Sequence, residues 1–161
     1  MGAFDESICD CSVCPMQCIL KALEGEQGVS IVTNQSRFDN LTINEVKDFI
    51  VNTSVGSIAI KHISGLFYDS SLIPVEIPLK PIKQNTKGEC ACCETPMTEI
   101  MNRMKGQFVF IDGMGGEPGG TTQITDVGEG IFTFRSVEFP TIIGAGSTLV
   151  VTSVGPPGSP P

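Results

Sequence analysis

Two stretches of apolar residues at helical spacing organise this chain. Met16, Ile19, Leu20 and Leu23 fall at i, i+3, i+4 and i+7, and Met97, Ile100, Met101 and Met104 repeat the spacing. That period lines one helical face with apolar side chains. Pro15 and Pro96 suit the start of a helix, where a missing N–H costs nothing, and Gly25 and Gly106 stop each helix. Helices of about ten residues are marginal alone. Their stripes, with Ile19, Leu23, Ile100 and Met104 buried, are therefore expected to dock on the β-segments that follow. The first set of segments is read at 29–33, 41–52 and 57–63, and the second at 108–111, 123–135 and 148–154. Alternation is clean in Leu41-Thr42-Ile43 and in Ile58-Ala59-Ile60, as a half-buried strand requires.

The two halves align with each other. Placing Cys9 on Cys90, an offset of 81, puts Cys11 on Cys92, Pro15 on Pro96, Met16 on Met97, Ile19 on Ile100 and Gly25 on Gly106. The register continues ungapped through Ile43 and Ile124, Glu45 and Asp126, Val46 and Val127, Asp48 and Glu129, and Ile50 and Ile131. A later insertion moves the offset to 90, where Gly56-Ser57 meets Gly146-Ser147. This predicts an internal duplication in which residues 14–52 and 95–133 share one backbone path. The expected fold is mainly β with short helices, as two tandem copies of a short helix plus a small curved sheet or barrel. The pattern resembles SH3-like or Sm-like barrels, a likeness of fold that carries no function. The expected organisation is a polar extension at 1–8, a first module at 9–71, a connector at 72–88, a second module at 89–155 and a Gly/Pro-rich tail at 156–161. Pro74, Pro78 and Pro81 exclude the connector from the interior of a sheet, so it is read as extended chain lying on a module.

Charge and composition remove several function classes. Ten basic against eighteen acidic residues leave a net charge of −8. That opposes nucleic-acid binding, which needs cations to displace counterions from phosphates. No apolar run approaches the roughly 20 residues of a membrane-spanning helix. The acidic start, Met1 to Glu6, has no secretory signal, and Gly2 with Ser7 misses the myristoylation spacing by one residue. Charged residues are only 17% of the chain, below the usual quarter, and a neutral surface suits packing against other chains.

The cysteines carry the candidate chemistry. All seven lie in two clusters, Cys9, Cys11, Cys14 and Cys18, then Cys90, Cys92 and Cys93. An odd number, fully oxidised, leaves at least one to pair outside its own chain. Cross-linking between subunits is the leading reading for all seven. Metal binding by Cys9, Cys11, Cys14 and Cys18 is the alternative, although its two thiol pairs are more crowded than structural zinc sites usually are. A thiol oxidoreductase is the third reading, because Cys11-Ser12-Val13-Cys14 precedes a helix start, where a thiol becomes acidic. The loop Gly113 to Gly120 lacks the Lys-Ser or Lys-Thr and the following helix of a phosphate-binding loop, and reads as a hairpin loop. His62 has no nucleophile pattern near it and reads as a surface residue. Glu45, Asp48, Asp126 and Glu129 do not have calcium-loop spacing, and read as solvent-facing. No catalytic residue and no cofactor is expected.

The segment Cys9-Asp10-Cys11-Ser12-Val13-Cys14-Pro15-Met16-Gln17-Cys18-Ile19-Leu20, with the later Asn44-Glu45-Val46-Lys47-Asp48-Phe49-Ile50-Val51, resembles small cysteine-rich spore-surface proteins of endospore-forming Firmicutes. The resemblance covers about residues 5–65. The second copy has Thr95 and Glu99 where the first has Cys14 and Cys18, so a symmetric cross-linking scheme does not follow. The tail Gly155-Pro156-Pro157-Gly158-Ser159-Pro160 is similar to the start of a collagen-like stalk, although two triplets cannot form a triple helix. The resemblance implies a structural, non-enzymatic subunit of a coat, exosporium or spore fibre. It would be made in the mother-cell cytosol without a signal peptide and would assemble with copies of itself and other spore-surface proteins.

Overall fold

The computed structural model describes residues 13–33, 35–77, 79, 95–112, 120–128, 130–148, 151 and 153–155. The first half runs α1 (Val13–Ala22), β1 (Gln27–Thr33), β2 (Arg37–Lys47), β3 (Ile50–Thr53), β4 (Gly56–Ala59), a 3-10 turn (Ile60–His62) and β5 (Ile63–Asp69). The second runs α2 (Thr95–Arg103), β6 (Phe108–Asp112), β7 (Gly120–Gly128), β8 (Ile131–Ser136), β9 (Ile142–Ser147) and β10 (Ser153–Gly155). The protein is thus mainly β with two short helices. Its strands form one open sheet, ordered β10-β6-β7-β8-β9-β5-β1-β2-β3-β4, and every pairing is antiparallel.

Four strand expectations are corrected. The segment 41–52 is two strands, because Asp48 (φ 52°) and Phe49 (φ 62°) turn the chain in the left-handed region. A two-residue hairpin needs that conformation to match strand twist. The corresponding segment 123–135 breaks at the same place, where Gly130 (φ 71°) supplies the turn. The segment 57–63 ends at Ala59 and gives way to the 3-10 turn, after which β5 continues to Asp69. The segment 148–154 misses β9 altogether and retains only β10. The long middle strand does serve two neighbours, as its length suggests. Residues Arg37 to Thr42 of β2 pair with β1, and Ile43 to Lys47 pair with β3.

Local geometry recurs between the halves. The Gly25 N–H donates to the Ile43 carbonyl at 2.7 Å, and the Gly106 N–H to the Ile124 carbonyl at 2.6 Å. Each glycine has positive φ, +91° and +84°, which closes its helix without a Cβ penalty. The Ile43 N–H donates to the Glu26 carbonyl and the Ile124 N–H to the Gln107 carbonyl. A register shift follows in both halves, between Ile43 and Glu45 and between Ile124 and Asp126. After the insertion the pairing sets a different offset from the one read in the sequence. The Ile60 N–H donates to the Phe49 carbonyl as the Thr148 N–H does to the Gly130 carbonyl, each at 3.0 Å. Ile60 therefore corresponds to Thr148, an offset of 88. On that register Gly56 corresponds to Gly144, and the Gly-Ser match at 90 is a coincidence of composition.

Two apolar clusters lie against the sheet. The first joins Met16, Ile19, Leu20 and Leu23 of α1 to Ile31, Leu41, Ile43, Val51, Ile60, Leu66 and Tyr68. The second joins Met101 of α2 to Val109, Ile111, Ile124, Val127, Phe132, Phe134 and Val151. Ile19 and Leu23 are buried as expected, but Ile100 and Met104 are only half-buried. Among the described side chains of α2, Met101 and Thr98 are buried. The first cluster is larger because the connector covers it: Ile73 is buried in it, and Val75, Ile77 and Leu79 pack against it. The Tyr68 hydroxyl donates to the Val75 carbonyl at 2.6 Å and holds this strap down. Over the part that is described, the connector thus lies against the first cluster.

Two predictions arise from this packing. Gln17 is buried, and its Oε1 accepts the Phe49 N–H at 2.6 Å. Gln17→Leu removes the acceptor of this part-buried bond, and is expected to cost about 1 kcal/mol in a denaturant titration. Burial, with a smaller contribution from Glu26, pushes the Tyr68 hydroxyl up to about 12. Tyr68 is the one tyrosine in the chain, so ultraviolet titration reads it directly. Its phenolate should be absent through pH 10–11 in the folded protein. Because the folded value lies above the unfolded one, this group's contribution to stability is present below pH 10 and is lost as pH rises towards 12.

Candidate functional site

Cys9, Cys11, Cys90, Cys92 and Cys93 lie outside the described residues. Cys14 falls in the first turn of α1, and its side chain also lies outside them. Cys18 is one helical turn further on, half-buried, with a free thiol. In the sequence the first cluster runs into α1 and the second ends two residues before α2. Among the described residues no group of three His, Cys, Asp or Glu side chains is placed to hold a metal ion. The glycine loop lies outside the described residues except for Gly120, which opens β7. His62 is exposed in the 3-10 turn, and borders a shallow open cleft with Thr33, Phe38, Ser57 and Ala59.

Of the acids read as solvent-facing, Glu45, Asp48 and Asp126 are exposed and Glu129 lies outside the described residues, while Asp126 and a further acid, Glu24, also make local bonds. Glu24 accepts the Val46 N–H at 2.8 Å and the Lys21 ammonium at 3.0 Å, and those two bonds hold its carboxyl below the usual range. In the second half Asp126 accepts the Val127 N–H at 2.9 Å and pairs with Lys105 at 2.8 Å. Lys105, with the backbone bond behind it, lowers the Asp126 carboxyl likewise. Each half thus satisfies the same backbone N–H after its register shift with a carboxylate drawn from a different position. These are structural contacts, and Glu45 and Asp126 remain exposed.

The sheet itself holds the most developed contact surface. Its two halves meet where β9 adds to β5, with Gly65 opposite Gly146, Leu66 opposite Ala145, Phe67 opposite Gly144, Tyr68 opposite Ile143 and Asp69 opposite Ile142. Beyond the strand ends, the Ser70 N–H and hydroxyl both donate to the Thr141 carbonyl, at 2.8 and 2.7 Å. Packing crosses the junction in both directions. Ile131 and Ala145 belong to the first cluster, and Phe67 packs against the second. Gly144 is the point of closest approach. A Cβ there would meet the Leu66 carbonyl oxygen, the Phe134 ring at 2.6 Å and the Phe67 Cβ at 2.8 Å. Arg37 caps the outside of the junction, with its guanidinium 4.9 Å from the Phe67 ring centroid. It also binds Asp39 at 2.9 Å. With a second bond from Ser30, that contact lowers the Asp39 carboxyl.

The outer strands of the sheet are β4 and β10. Each pairs with a single described strand, β3 and β6 respectively. An outer strand presents a row of backbone donors and acceptors that can template pairing with another chain. Gly56 and Ser57 of β4 are exposed, and Val55 in the preceding turn is 62% exposed. Neither outer strand carries a sequence motif that marks it as a contact surface.

No protein-family model, curated protein or solved structure matches the chain. No described helix is long and apolar enough to cross a membrane.

Proposed function

We propose that the chain is a structural subunit that assembles with copies of itself into a layer or fibre on the spore surface, locked by disulfides between subunits. The observation that carries the reading is the β9–β5 junction. One half of the chain already joins the other by adding a strand to its sheet, and among the described strands the sheet is open at both ends. A module built to join its like in this way suits a polymer.

The finer architecture follows from the same comparison of halves. The protein is read as two tandem copies of one SH3-like or Sm-like unit, each a helix followed by five strands. The strand orders β5-β1-β2-β3-β4 and β10-β6-β7-β8-β9 support this, as do the recurring bonds at Gly25 and Gly106. Each unit then carries a cysteine segment ahead of its helix. About eight to ten residues of extended chain reach roughly 30 Å, far enough for Cys9 or Cys11 to meet a neighbouring subunit. Other spore-surface proteins are further partners for the same thiols.

The experiment is electron microscopy of the purified protein before and after reductant, with mass spectrometry of non-reduced assemblies made from mixed isotope-labelled and unlabelled chains. Ordered assemblies and heavy–light disulfides containing Cys9 or Cys11 are expected. Cysteines that all prove reduced, metal-bound or paired within one chain would remove the cross-linking role and favour metal binding. A protein that stays monomeric under every condition would overturn the assembly reading.

A further inference from the structure

We infer that two copies of this chain join head to tail through β4 of one and β10 of the next, in the register of the internal β9–β5 junction. The inference rests on the assembly reading above and specifies its contact.

The correspondence comes from pairing partners. Phe134 lies opposite Gly144, and Thr53, 81 residues before Phe134, lies opposite Gly56. Thr133 lies opposite Ala145, and Asn52 opposite Ser57. The outer strand β4 is therefore the first-half counterpart of β9. On the other side, Ser30 lies opposite Phe67, and Ile111, 81 residues after Ser30, lies opposite Val154. Ile31 lies opposite Leu66, and Asp112 opposite Ser153. The outer strand β10 is therefore the second-half counterpart of β5. The two strands that meet inside the chain are the counterparts of the two left at its ends.

Transferring the internal register gives the contact between chains. Val154 of one copy falls opposite Gly56 of the other, Ser153 opposite Ser57 and Gly155 opposite Val55. The space agrees. At Gly144 the position of a Cβ is filled by Phe67 and the Leu66 carbonyl, whereas at Gly56 nothing lies within 4 Å of it. Gly56 needs its positive φ of +133° for the hairpin, and its bare outer side leaves room for Val154 as Gly144 does for Phe67. Val55 stands where Ile143 stands, but Ile143 packs against the first cluster while Val55 is exposed. A joined copy covers Val55. Because the two surfaces differ, the contact is heterologous, and each added chain presents a fresh β4 or β10 for the next.

The test uses two edge variants of the full chain under reductant, so that disulfides do not contribute. Val55→Asp with Ser57→Asp places carboxylates on β4, and Gly155→Asp places one on β10. These sites tolerate the changes in a single chain, since Val55 and Ser57 are exposed and a Cβ on Gly155 meets nothing within 4 Å. Light scattering should show the parent as long assemblies and each variant as monomer. An equal mixture should give dimers, because one intact β10 and one intact β4 remain. The dimer also shows that both variants are folded. Variants that assemble like the parent would overturn the edge contact and leave assembly standing. A mixture that stays monomeric would also overturn it, and a parent that is itself monomeric would remove both readings.

Discussion

Gly144→Val is expected to lower the melting temperature by about 10 °C. At this position the new branched side chain would collide with the Leu66 carbonyl on one strand and the Phe134 ring on another. The backbone oxygen cannot rotate away, so relief requires β9 to separate from β5. Overpacking of this kind costs about 3 kcal/mol, and each kcal/mol moves the midpoint by roughly 2–4 °C in a chain of this size. The matched control is Gly155→Ala, whose Cβ enters open space, and which should leave the midpoint within about 1 °C, given that surface substitutions usually fall within ±0.5 kcal/mol. Differential scanning calorimetry reads both. A Gly144→Val protein that melts with the parent would show that the two halves do not meet at this glycine.

Leu20→Asp carries the second large effect. Leu20 is fully buried in the first cluster, and Met101 is its counterpart in the second. A carboxylate at either site would lie among the apolar side chains of its cluster, and must either remain charged there or take up a proton. The expected cost is on the order of 4 kcal/mol for Leu20→Asp and for Met101→Asp. Ile100→Asp should cost less than half as much, because Ile100 is only half-buried. Chemical denaturation of the three variants orders them. Equal costs at 100 and 101 would show that α2 presents a different face to the sheet.

That contrast marks what the sequence could show. The helices were legible because a 3.6-residue period and a terminal glycine act within one turn of chain. The burial of Ile100 was not, because it depends on what covers the helix from outside. In the first half Ile73 and the strap behind it supply that cover. The turn at Asp48-Phe49 was hidden because neither residue is the glycine such a turn favours, although Gly130 at the corresponding position pointed to it. Strand β5 was hidden by its own burial. Ile63, Ser64, Gly65 and Leu66 are all buried, so polar and apolar positions do not alternate. Strand β9 was hidden by Gly144 and Gly146, which look like loop residues until β5 is placed against them. The cysteines stand out in the sequence by count and clustering. The sheet junction announced nothing, since its partners lie on opposite sides of the connector.

The junction also sets an order of events as the chain is made. All strand pairings except β9 with β5 join segments of one half. Within the first half these contacts can form as soon as its own residues are available. Gly65, however, must wait for Gly146. Such distant pairing is slow relative to local pairing, because chain closure entropy precedes any gain from contact. During that interval β5 is an unfilled edge, and it accepts a strand of the type that β9 and β4 both supply. A neighbouring unfinished chain can offer its β4 before the proper β9 arrives. The covalent link between the halves counters this by holding β9 at a high effective concentration near its own β5, so the length of the connector governs how often synthesis ends in a correctly closed subunit instead of a swapped pair.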